Sequence, residues 1–122
     1  MRRFLSALAF TSMIGLGFAA PAWAHAHLVT ADPPVGGSTA PTATLHLTFS
    51  EGIELAFSKF DITGAGGKEI TPSKSALDPK NDKVVVLTFP AKLAPGDYTV
   101  HWHVVSVDTH HTQGTYPITV TP

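Results

Sequence analysis

The sequence predicts an all-β domain, an antiparallel β-sandwich of Greek-key type, on three observations. Apolar residues alternate at period two in several segments, turn-forming residues separate those segments at short intervals, and no stretch carries a 3.6-residue period. Thr44 to Phe49 puts Leu45, Leu47 and Phe49 on one face and His46 on the other. Lys83 to Phe89 is a second run, rich in β-branched residues that suit a pleated surface. Tyr98 to Val104 places Tyr98, Val100, Trp102 and Val104 together, with His101 and His103 on the opposite side. Residues 28–31, 56–63 and Tyr116 to Thr121 bring the named strands to six, close to the seven or so that such sandwiches use. Asp32-Pro33-Pro34, Gly36-Gly37, Gly64 to Gly67, Asp78-Pro79 and Pro95-Gly96-Asp97 supply the turns, by fixed φ at proline or tolerance of positive φ at glycine.

A chain of 122 residues suits one domain. Its charged fraction of 14% is low, yet 43% of the residues are hydrophobic, so the chain can bury a core. No run of Lys or Arg occurs after residue 3, which leaves nucleic-acid binding without an electrostatic footprint. The absence of cysteine excludes disulfides, thiolate zinc sites, iron–sulfur clusters and thiol nucleophiles.

Residues 1–24 read as an export signal. Arg2 and Arg3 form a basic start, Phe4 to Ala20 is an uncharged and largely apolar run, and Ala22-Trp23-Ala24 offers small residues at the two positions a signal peptidase reads. The run is short for a membrane span, is diluted by Ser6, Thr11 and Ser12, and is ended by Pro21. Cleavage is expected after Ala24, leaving a domain over residues 25–122. That domain holds six lysines against nine carboxylates, all seven histidines, and no methionine.

Processing makes His25 the first residue. A terminal histidine offers the α-amine and imidazole Nδ1 to one ion, a bite suited to Cu(II), which prefers tetragonal nitrogen and oxygen donors. Ordinary α-amines titrate near ~8 and imidazoles near ~6.5, so both lose their protons at modest cost near neutrality. A second cluster, Asp108-Thr109-His110-His111, lies far along the chain. Asp108 and His110 are two apart and point the same way if the backbone there is extended. Together they supply a carboxylate and an imidazole to complete a plane begun by His25, the negative ligand offsetting part of the ion's charge.

Several motifs in order carry a family resemblance. They are His25-Ala26-His27-Leu28 after the signal, Pro34 with Gly36, Leu47-Thr48-Phe49-Ser50-Glu51, Gly96-Asp97-Tyr98-Thr99-Val100-His101-Trp102, and Val104-Val105-Ser106-Val107-Asp108-Thr109-His110 with Gly114. In this order and spacing the chain resembles the CopC family of periplasmic copper-binding proteins. The resemblance implies a cupredoxin-like, immunoglobulin-like Greek-key sandwich that binds one Cu(II) ion through the N-terminal histidine and an Asp-x-His motif. It also implies a membrane partner of CopD type. Residue by residue it falls on His25, Asp108 and His110. Some relatives hold Cu(I) in a methionine-rich segment, and residues 25–122 have no methionine for such a soft site. The expected protein is therefore a single-site, monomeric Cu(II) carrier or buffer and not an enzyme.

His27 has a competing role. A free amine, two backbone amides and a histidine at position three form a local square-planar chelate, which His25-Ala26-His27 satisfies without the fold. Binding that way ionises two amide N–H groups and removes donors from a segment expected to start a strand. The folded site is preferred, with His27 as an additional or nearby ligand. His101 and His103 can share a metal on their strand's outer face, although solvated surface histidines are the commoner outcome. His46 is expected on a solvent face and His111 outside the site. Glu51, Glu54 and Asp61 read as surface charge. Two further functions stay open: a copper brace that cleaves polysaccharides oxidatively, and a metal-free interaction module.

Overall fold

A computed structural model describes residues 25–122, together with Gly15 and Gly17. The expected leader and the expected cleavage point after Ala24 otherwise lie outside the described residues. Those residues form nine strands: β1 (Leu28–Asp32), β2 (Ser38–Thr39), β3 (Thr44–Phe49), β4 (Lys59–Thr63), β5 (Glu69–Ile70), β6 (Lys74–Asp78), β7 (Asn81–Thr88), β8 (Gly96–Val105) and β9 (His111–Val120). Two sheets result, in the orders β1-β3-β7-β6 and β2-β9-β8-β4-β5. The chain changes sheet five times, on either side of β2, between β3 and β4, between β5 and β6, and between β7 and β8, which gives the expected β-sandwich.

The period-two pattern decides which residues fill the space between the sheets. Leu45, Leu47 and Phe49 of β3 and Val85 and Leu87 of β7 meet Phe60, Ile62, Val100, Val104, Tyr116, Ile118 and Val120 of the other sheet. Tyr98 also turns inward, and its hydroxyl donates to Ala94 O at 2.6 Å. Trp102 is only half-buried, its ring packed edge-on to Phe49 at a centroid distance of 5.3 Å. His46 is exposed, as its place in the alternation requires.

Several boundaries differ from the sequence expectation. Residues 56–63 divide into a single 3-10 turn, Leu55–Phe57, and the strand β4. The last strand begins at His111 and not at Tyr116, because its first half pairs with β8 in a ladder running from Gly96↔Val120 to Val105↔His111. Three strands went unpredicted. β2 and β5 are two residues long and β6 is polar at its start, so none carries enough alternation to be read. The antiparallel expectation also has one exception, since β2 runs parallel to β9.

Candidate metal centre

The β8–β9 connection supplies the first part of the site. Thr109 N donates to Ser106 O at 2.8 Å, and Ser106 N donates to His110 O at 3.0 Å. With Thr109 at φ 71°, this is a hairpin loop made of a tight turn followed by one left-handed residue. A β-branched residue is unfavourable there, by roughly 1–2 kcal/mol, since its Cβ crowds the following carbonyl. The reversal brings Asp108 and His110 together, with His110 Nδ1 3.0 Å from Asp108 Oδ2. The sequence argument aligned these two side chains by extended backbone; a turn does so instead.

Ser106 is completely buried, and its hydroxyl donates to the other oxygen of Asp108, Oδ1. The Ser106 hydroxyl first, and the His110 ring second, hold the Asp108 carboxyl down at about 2. The group is thus a stable anion although it is about half exposed, as is His110. A carboxylate only accepts, so Nδ1 of a neutral His110 carries the proton and donates to it. That leaves the Nε2 lone pair of His110 as the open donor.

His25 arrives from the other end of the domain. Its ring meets the His110 ring edge-on, with centroids 4.2 Å apart and planes at 69°. Two anchors hold it there. Ala26 is buried, and its carbonyl accepts from Thr112 Oγ1 of β9 at 2.7 Å. The next residue belongs to the opposite sheet's edge, where His27 N donates to Ser50 Oγ at 3.0 Å and Ser50 N donates to His27 O at 2.9 Å. The segment therefore bridges both sheets, with Ala26 inward and His25 and His27 exposed on either side of it. A local chelate through the His27 amide would have to break the bond to Ser50.

The structure thus gathers His25, Asp108 and His110, and His27 is exposed two residues from His25 with its main chain fixed by Ser50. Among the described residues no group of three or more histidine or carboxylate side chains is arranged to hold a metal ion. Their chemistry suits a borderline divalent cation, with imidazole nitrogen and carboxylate oxygen as donors. Sequence reasoning missed Ser106, Thr109 and Thr112 as supports of the site. A serine two residues before an aspartate is a recognisable turn signal. Thr112 gives none, since its partner is 86 residues away in the chain.

Fold and donor set together define a small β-sandwich protein with an exposed imidazole–carboxylate group at one end. The family model of the CopC domain matches residues 28–121, and the chain belongs to that family. It is 40% identical over 99 residues to Protein YobA of Escherichia coli strain K12, covering 80% of each chain. Among solved structures, it resembles CopC from Methylosinus trichosporium OB3b at a TM-score of 0.72 and 31% identity, covering 80% of this chain and 95% of that one. The crystal structure of PcoC, a methionine-rich copper resistance protein from Escherichia coli, gives a TM-score of 0.71 at 30% identity, covering 80% of this chain and all of that one. The lack of methionine in residues 25–122 is a clear departure from that relative.

Proposed function

We propose that the chain is exported, cleaved after Ala24, and acts in the periplasm as a Cu(II) carrier or buffer in copper homeostasis or resistance. One observation carries the reading: the His25 ring lies against the His110 ring, beside the Asp108 carboxylate. Cleavage adds the α-amine of His25 to that group. The ion is cargo, held by the amine and imidazole of His25, the carboxylate of Asp108 and the imidazole of His110. His27 stands by as an additional donor. Each Asp108 oxygen accepts one hydrogen bond and keeps a lone pair for an ion.

Preorganisation follows from the anchors. Thr112 and Ser50 fix the N-terminal segment before any ion arrives, so little ordering remains for binding to accomplish. Donors near the surface also permit release, because a recipient can replace them one at a time. A membrane copper transporter of CopD type fits that role, with the carrier working as a monomer. The family likeness to copper resistance proteins supports copper over zinc or nickel, as does the divalent affinity order. The likeness to copper resistance proteins supports binding over catalysis.

The test is Cu(II) titration of the processed protein, followed by visible and paramagnetic-resonance spectra. His110→Ala should weaken binding by about 100-fold or more, beyond the loss typical of an outer-sphere change. Unchanged affinity and spectrum would transfer the role to the local His25-Ala26-His27 chelate. A reductant-driven assay for oxidised oligosaccharides should be silent.

A further inference from the structure

The outer face of the second sheet carries a separate group of histidines. Alternation turns His101 and His103 of β8 outward, together with His111, Gln113 and Thr115 of β9 and Lys59, Asp61 and Thr63 of β4. The register sets them in rows. Asp61, His101 and Thr115 lie side by side, as do Lys59, His103 and Gln113. A surface hollow of about 420 Å³ runs over these rows.

His101 and His103 share one strand, yet a different pair meets. His101 Nε2 is engaged by Thr63 Oγ1 at 2.8 Å. His103 instead approaches His111 diagonally across the ladder, with ring centroids 5.8 Å apart and planes at 41°. A divalent ion sits about 2 Å from each imidazole nitrogen, which sets its distance to a ring centroid at about 3 Å. Two rings sharing an ion can therefore be up to roughly 6 Å apart, and this pair already falls within that span.

We propose that His103 and His111 form a second, weaker Cu(II) site on the outer face of the β8–β9 hairpin, with water completing the coordination. Cu(II) heads the divalent affinity order for nitrogen donors. Weaker binding follows from the donor set, two neutral imidazoles with neither an α-amine nor a carboxylate among them. Lys59, directly across from His103, raises the electrostatic cost of a cation there, and Asp61 stands one row further along, opposite His101. His111 directly follows His110, so one peptide bond links the two sites, each residue directed to its own partner. The hairpin then offers copper a station on each side, the outer one more readily vacated.

Stoichiometry decides. Calorimetric titration of the exported protein with Cu(II) should give two equivalents, the second the weaker. His103→Gln with His111→Gln should reduce two equivalents to one, leaving the tight one and the melting temperature unchanged, since both side chains are exposed. His25→Ala with His110→Ala should keep the weaker equivalent, whose paramagnetic broadening should fall on the His103 and His111 ring protons. A weaker equivalent that survives the glutamine pair, or a wild-type protein without any weaker equivalent, overturns the proposal. Loss of the tight equivalent alone would fail the function proposed above and leave this site standing.

Discussion

Gly114 faces Trp102 across the β8–β9 ladder, and the space between them is already taken. A Cβ at position 114 would lie 2.5 Å and 2.7 Å from two carbons of the indole ring. Carbon atoms pack at about 3.5–4.0 Å, so Gly114→Ala creates an overlap of about 1 Å. The ring has no free retreat inward, because its other side packs on Phe49. Overpacking of this kind costs about 1–3 kcal/mol, and replacing a strand glycine by alanine returns roughly 0.5–1 kcal/mol. The net loss should centre on about 1 kcal/mol and reach at most about 2.5 kcal/mol, each kcal/mol lowering the melting temperature of a domain this size by roughly 4–8 °C. Urea unfolding of the processed chain reads it directly. Trp102 is the only tryptophan in residues 25–122, so its emission reports both the transition and the displaced ring. A variant as stable as the parent, with unmoved emission, would refute the claim that glycine is required for close approach at this position.

Two further substitutions probe the hairpin. Thr109→Gly removes a β-branched residue from the left-handed region, which relieves roughly 1–2 kcal/mol. Glycine's extra freedom in the unfolded chain returns about 0.4–1 kcal/mol of that. Denaturant midpoints should therefore rise, and a fall would mean that the Thr109 hydroxyl bond to Asp108 O outweighs the strain. Ser106→Ala removes the leading cause of the low Asp108 pKa, which should climb from about 2 toward the ordinary carboxylate range in an NMR titration of the metal-free protein. The linked stability has a definite sign. A carboxyl whose folded pKa is depressed favours folding above its unfolded value of about 4, and that contribution fades as pH falls toward about 2. In Ser106→Ala this acid-side loss should shrink, and an unaltered pH–stability curve would contradict the assignment.

The long alternating strands were legible because their information is local. Leu45, Leu47 and Phe49 face inward by period two alone, and Val100 and Val104 do the same. The donor chemistry was equally plain: histidine and aspartate are ligand types wherever they stand. The geometry that joins them was less accessible. Spacing alone aligns Asp108 with His110 through extended backbone, whereas the chain uses a tight turn and a threonine at positive φ, a conformation that residue type argues against. His111 offered no sequence sign that it would meet His103, because a diagonal contact depends on the register of two strands.

Composition and periodicity by themselves determined a two-layer β domain with histidine-rich ends and no sulfur in residues 25–122. Tertiary structure alone decided that the ring of His25 rests on that of His110, that Thr112 and Ser50 clamp the segment between them, and that the β9 ladder begins at His111. The division has a physical cause. Side-chain alternation and turn chemistry are properties of a few neighbouring residues, but contacts between opposite ends of a chain arise only when packing of the whole core fixes where each strand begins.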